Sequence, residues 1–70
     1  MDIEIGSDIE IKPALNVPAQ TVTVTGIRML VDDNAIKAII TITDSDGDAS
    51  TVGALQLAKW VEKAAKQYRK

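Results

Sequence analysis

Residues 27–42, IRMLVDDNAIKAIITI, decide the fold, because they predict two antiparallel strands joined by a tight turn. If Asp33 and Asn34 form a two-residue loop, residues whose numbers add up to 67 lie opposite each other. We expect positive φ angles in this turn, which Asp and Asn tolerate. One face of the hairpin is then apolar, built from the opposed pairs Val31–Ile36, Met29–Ala38 and Ile27–Ile40.

The alternation of apolar residues breaks at Gly26. Val22 and Val24 occupy even positions, whereas Ile27 and the apolar residues after it occupy odd ones. Because side chains alternate along a strand with a period of two, this parity changes only where an extra residue is inserted. We therefore predict a β-bulge near Gly26, which brings Val24 opposite Ile42.

The stretch DIEIGSDIEI, residues 2–11, repeats the same four letters on either side of a Gly-Ser pair. A three-residue loop at 6–8 would form a hairpin in which Ile5 faces Ile9. A single continuous strand is equally consistent with the alternation. We favour the hairpin, because Gly-Ser is an unusual pair at the centre of a strand.

Residues 12–19, KPALNVPA, have a proline near each end and predict an irregular connection rather than a helix. We expect Leu15 and Val17 in this connection to pack against the core.

From Ser50 or Thr51 onward the apolar residues recur with the period of an α-helix. We expect Asp48 or Ser50 to cap this helix. The apolar stripe consists of Ala54, Leu57, Val61, Ala64, Ala65 and Tyr68, with Leu55 and Trp60 on its flanks. A basic helix face lies almost opposite, formed by Lys59, Lys63, Lys66 and Lys70.

Together these patterns predict one small α+β domain over residues 1–70. Its three- or four-stranded antiparallel sheet is mostly a meander, and one C-terminal amphipathic helix packs on one face. Ile, Val and Thr fill 21 of the 70 positions, which suits a pleated, half-buried surface.

The residue types present argue against catalysis and against a bound cofactor or metal. The chain has no His and no Cys, so the commonest general base and the commonest soft nucleophile are both missing. The string DSDGD, residues 44–48, resembles a calcium loop in its alternating carboxylates, but Gly47 and Leu55 depart from the EF-hand pattern. A tight Asp-Gly turn explains the string, so we expect no catalytic, cofactor or metal site, and no small-molecule substrate.

The charge is unevenly distributed along the chain. Residues 1–58 hold nine acidic and three basic residues, a net charge of −6, whereas residues 59–70 hold five basic and one acidic, a net charge of +4. The lysine row offers a possible nucleic-acid contact, although an acidic remainder repels phosphates. A solvated helix face explains the row without a ligand.

The sheet face turned away from the helix is the candidate interface. Leu30 and Ile39 lie diagonally adjacent on it, and threonines extend it. A one-layer sheet covered on one side exposes its second face, and an apolar centre there suits packing with another protein chain. The predicted interface residues are Arg28, Leu30, Lys37, Ile39 and Thr41.

The leading hypothesis is a non-enzymatic protein–protein interaction or assembly module that binds a protein partner or itself. A small structural component of a phage or prophage-type particle would have this character. The alternative is a nucleic-acid-associated regulator that uses the basic helix face. Without a signal sequence or an apolar run of ~20 residues, the expected location is the cytoplasm, or the virion if the protein is phage-derived, with no membrane association.

Overall fold

A computed structural model describes residues 2–66 of the chain. It contains a four-stranded antiparallel meander with the strand order β1-β2-β3-β4 and one helix, which establishes the small α+β fold. The elements are β1 (Asp8–Ile11), β2 (Gln20–Asp32), β3 (Ala35–Thr43), β4 (Ala49–Gly53) and α1 (Ala54–Lys66).

The pairing of β2 with β3 confirms the predicted register, with Val31 opposite Ile36 and Val24 opposite Ile42. The register shifts between Val24 and Gly26, so the predicted bulge is present and Thr25 is the extra residue. A Cβ on Gly26 would lie only 3.2 Å from Thr41 Oγ1, which explains why the bulge carries a glycine.

The turn between β2 and β3 has the predicted length, since Asp32 pairs with Ala35 across two residues. Its predicted positive φ angles were wrong, because among residues 2–66 only two glycines have a positive φ. The Asp33 amide instead donates a 2.8 Å hydrogen bond to Asp32 Oδ1, which satisfies a turn amide locally.

The predicted N-terminal hairpin was wrong, and so was the single strand. Only residues 8–11 form a strand, and β1 pairs with β2 rather than with residues 2–5. Before it, the Ser7 amide donates to the Glu4 carbonyl in a turn in which Gly6 has a φ of 97°. The Gly6 amide also donates to the Val24 carbonyl at 2.7 Å, so the backbone of this segment is hydrogen-bonded to β2.

The predicted start of the helix was also wrong, since residues 49–53 form β4 and α1 follows it without a loop. Val52 pairs with Ile40 and is buried, so sheet pairing overrides the weak helical pattern at this point. Asp48 and Ser50 consequently do not cap the helix.

The Asp44–Asp48 segment is the predicted tight turn, in which Asp44 Oδ1 accepts hydrogen bonds from the amides of residues 46 and 48, each at 3.0 Å.

The core lies between one face of the sheet and the helix. Leu57 is fully buried at its centre, while Ala54, Trp60 and Val61 pack around it. The Trp60 carbonyl also accepts a hydrogen bond from the Lys12 amide, which joins the helix to the connection after β1. The buried sheet residues are Ile9, Ile11, Val22, Val24, Ile40, Ile42 and Val52.

The connection at residues 12–19 is irregular, as predicted, but its apolar residues do not pack inside. Leu15 is 86 % exposed and Val17 is also exposed, because the helix and β1 already close this side of the core. Ala65 of the predicted stripe is exposed as well. Tyr68 of the stripe lies outside the described residues.

The molecule is elongated, with a longest axis of 43 Å against 26 and 22 Å for the other two. Its radius of gyration of 12.7 Å exceeds the ~11 Å expected for a compact chain of this length. Within residues 2–66, no helix has the length and apolar character needed to cross a membrane.

Candidate functional site

The elongation comes from a hairpin that extends beyond the rest of the sheet. β1 reaches β2 only as far as Thr23, and β4 reaches β3 only between Ile39 and Thr43. Residues 29–38 therefore pair only with each other, while Ile27 and Arg28 pair with Ile40 and Ile39 at the base of the same ribbon. We call residues 27–38 the projecting hairpin. Two-stranded ribbons have little stability of their own in water, so a further packing contact would stabilise this part of the molecule.

The helix-side face of the projecting hairpin is apolar and uncovered. It continues the buried face of β3, because Ile40 is buried under the helix and alternate residues share a face. Val31 is 77 % exposed and Ile36 66 % exposed, and Ile27 and Met29 are exposed beside them. The sequence predicted a helix that covers the apolar face of the sheet, so this uncovered surface was not predicted.

A length comparison could have revealed the uncovered face. The 13 residues of β2 span about 43 Å as a strand, whereas the 13 residues of α1 span only about 20 Å. A helix of that length cannot cover the full length of the longest strand, so part of the apolar face must remain open.

The five residues predicted as an interface lie on the opposite, outer face. Leu30 is opposite Lys37 and Arg28 is opposite Ile39, so these four side chains form one group, and Thr41 continues it along β3. Leu30, Arg28 and Lys37 are exposed, whereas Ile39 and Thr41 are half-buried. Neither Leu30 nor Ile39 lies under the helix.

Threonine hydroxyls and one carboxylate hold the rest of the outer face in a defined arrangement. Thr23 Oγ1 donates to Asp8 Oδ1 at 2.6 Å, which joins β1 to β2. Thr25 Oγ1 lies 3.0 Å from Thr43 Oγ1 across the bulge, within hydrogen-bond distance. These contacts satisfy the hydroxyl groups around the bulge, and beyond them the outer face of the projecting hairpin carries Arg28, Leu30 and Lys37.

The predicted basic helix face is only partly described, since Lys70 lies outside residues 2–66. Lys59, Lys63 and Lys66 are exposed on α1. Lys66 Nζ lies 3.1 Å from Glu62 Oε1, an ion pair between exposed residues one helical turn apart. Lys59 and Lys63 have no such partner among the described residues.

An open groove of about 760 Å³ lies where the projecting hairpin meets the helix. Its walls are residues 36–39 of β3, the end of β4 at 51–53 and the first turns of α1. The walls include the apolar side chains Ile36 and Leu55, and Leu55 is 83 % exposed. The groove is thus an extension of the uncovered apolar face around the start of the helix.

No family model, curated protein or solved structure matches this chain. The candidate site is therefore identified from the exposure, charge and position of its residues in this structure. Among residues 2–66, no group of three or more acidic side chains is placed to hold a metal ion, and the carboxylate of Asp44 is engaged with the backbone of its own turn.

Proposed function

We propose that the chain is a non-enzymatic protein–protein interaction or assembly module, and that the projecting hairpin is its contact element. A structural component of a larger particle, such as a phage-type particle, is the role that best fits a module of this kind. The hairpin supplies the contact, and the compact end of the molecule, where β1 and α1 close the core, holds it in place.

The observation that carries this proposal is the apolar exposure of the projecting hairpin on both of its faces. Met29, Val31 and Ile36 are exposed on the helix side and Leu30 on the outer side. Contiguous apolar surface of this kind typically marks an interaction site in a soluble chain. A partner that packs on these faces would give the two-stranded ribbon the packing contacts that it lacks.

We rank nucleic-acid binding second because few unpaired cationic groups lie on the part of the helix that the structure describes. Lys66 is already paired with Glu62, which leaves Lys59 and Lys63 as the unpaired lysines of the described helix face. Two phosphate contacts supply little affinity at physiological salt, and the net charge of −2 opposes association.

Sedimentation equilibrium of the full chain over a range of concentrations, at low and at high salt, tests the proposal. We expect oligomers that become monomers on dilution, and we expect Leu30→Asp and Ile39→Asp to weaken them by about tenfold or more in Kd, because each buries a charge in an apolar contact. Leu15→Asp is the matched control, because Leu15 is also exposed but lies in the connection at 12–19.

A wild-type chain that remains monomeric at the highest attainable concentration would contradict assembly. Equal weakening by Leu15→Asp and Leu30→Asp would contradict the assignment to the hairpin. Circular dichroism of each variant checks that the sheet is still formed, since Ile39 is half-buried and its substitution also affects packing.

A further inference from the structure

The groove beside the projecting hairpin combines apolar walls with positive charge. Among the described residues two lysines line it, Lys37 from the outer face of β3 and Lys59 from α1, and no carboxylate does. The first turn of α1 also carries no acidic residue, so the positive end of the helix dipole is not offset there. The groove therefore suits a segment that is apolar along one side and negatively charged at its end.

The tip of the projecting hairpin has this complementary chemistry. Asp32 and Asp33 lie at the turn, and Val31 and Ile36 flank it with largely exposed apolar side chains. Both carboxylates are exposed, and neither forms an ion pair among the described residues. One molecule thus carries both a cationic apolar groove and an anionic apolar tip.

The groove begins beside the tip, since Ile36 belongs to both, and it runs along β3 to the start of α1, where Leu55 and Lys59 line it. Val31 is at the tip, and Ile27, four residues away along β2, is at the base, where Ile40 of β3 separates it from Val52 of β4. The distance between them along the strand is about 13 Å. Met29 and its partner Ala38 lie midway between the two ends.

We propose that the occupant of the groove is the hairpin tip of a second copy of this chain, in a two-fold symmetric dimer centred on Met29 and Ala38. This inference rests on the proposed function and specifies its partner. Around that axis the second copy runs in the opposite direction, so its tip lies over Ile27 and Leu55 of the first. The carboxylates of the second copy then approach Lys59, and symmetry repeats the same contact at the other end.

The size and the charges of the surface are consistent with this arrangement. The exposed parts of the apolar side chains on this face and on Leu55 amount to several hundred Å², on the order of what one partner contributes to a specific interface once the polar rim is included. Opposite charges at the rim add orientation and association rate more than affinity. A two-fold contact is also closed, so it buries the helix-side face of each copy and leaves Leu30 and Ile39 on the outer face for the contact that joins dimers into larger oligomers.

Cysteine cross-linking tests the face, because the chain has no native cysteine. A residue near a two-fold axis lies close to its own copy. At a concentration where dimers form but larger oligomers do not, we therefore expect a short bis-maleimide reagent to cross-link Met29→Cys into dimers. Leu30→Cys, the adjacent residue on the outer face, should not be cross-linked under the same conditions.

Charge reversal tests the orientation. We expect Lys59→Glu and the double variant Asp32→Lys/Asp33→Lys each to raise the dimer Kd by about tenfold. An equimolar mixture of the two should recover dimers, because both contacts between position 59 and the tip then join opposite charges in the mixed pair. Lys63→Glu is the control, because Lys63 lies on the same helix but does not line the groove.

The possible outcomes separate the inference from the proposed function. One outcome is that Leu30→Asp weakens the oligomers and that Leu30→Cys is cross-linked whereas Met29→Cys is not. This outcome would overturn the proposed dimer but would still support the assembly module. A dimer Kd that is the same in Lys59→Glu as in the wild type would overturn the proposed orientation of the two copies. A wild-type chain that never associates would overturn both.

Discussion

Two leucines of α1 show how strongly the environment of a single residue decides its energetic contribution. Leu57 is 0 % exposed, whereas Leu55, two positions earlier on the same helix, is 83 % exposed. We expect Leu57→Ala to lower the free energy of unfolding by about 2–5 kcal/mol, since it leaves a cavity at the centre of the core. Urea denaturation followed by circular dichroism measures this loss.

Leu55→Ala serves as the control for that experiment, and we expect it to change the free energy of unfolding by no more than about 0.5 kcal/mol in the monomer. Equal losses in the two variants would contradict the burial assigned to Leu57. The measurement belongs at low protein concentration, because Leu55 also belongs to the proposed dimer contact.

Residue-level environments were predictable from the sequence where a period of two or of 3.6 fixed them. Val24 and Leu57 follow these patterns and are buried. Leu15 and Val17 do not belong to a periodic segment, and their apolar character alone led to a wrong prediction of burial. Apolar side chains are common on protein surfaces, so hydrophobicity without periodicity does not place a residue inside.

At the scale of elements, the bulge in β2 gives the next prediction. Deletion of Thr25 would join Val24 directly to Gly26 and produce regular alternation, with Ile27 still on the helix side. We expect this variant to fold, with a loss of about 1 kcal/mol from the missing contact between the Thr25 and Thr43 hydroxyls. Thermal unfolding followed by circular dichroism measures the change.

Deletion of Thr23 is the matched control, because Thr23 lies in the regular part of β2. It separates Val22 from Val24, which are both buried, so its removal turns one of them to the outer face. We expect this variant to lose most of its cooperative unfolding. Similar behaviour of the two deletions would contradict the assignment of Thr25 as the extra residue.

Elements formed by local signals were predictable, and those formed by pairing with a distant strand were not. The tight turn and the alternation of β2 and β3 lie within one short stretch, so they fixed the hairpin and its register. β4 is five residues long and mixes small and β-branched residues, which left its end indistinguishable from the start of a helix. Its identity comes from the edge of β3 that it covers.

At the scale of the whole molecule, the projecting hairpin predicts dynamics that depend on concentration. In the monomer its backbone amides belong to a ribbon without neighbours, so we expect those of residues 27–38 to exchange with solvent faster than those of residues 20–24. Association should slow exchange in 27–38 by about tenfold or more and leave 20–24 unchanged. Hydrogen exchange measured by mass spectrometry at two concentrations tests this, and identical exchange rates of 27–38 at both would contradict it.

The position of Leu30 and Ile39 on the outer face was predictable, because the register alone places them away from the helix. The helix-side surface was not predictable from alternation alone, because alternation shows which residues face the helix but not how far along the strands the helix reaches. The groove depends on where β4 ends and α1 begins, so the error in that boundary also concealed the groove.

The contact between β1 and α1 has a consequence for biosynthesis. These are the first and last of the five elements in chain order, yet Ile9 and Ile11 reach burial only together with Leu57. During translation the strands therefore emerge from the ribosome before α1. The apolar face of the sheet stays exposed to solvent until the helix has left the exit tunnel. The same delay leaves nascent chains on one polysome free to meet through their hairpins before each has closed its own core.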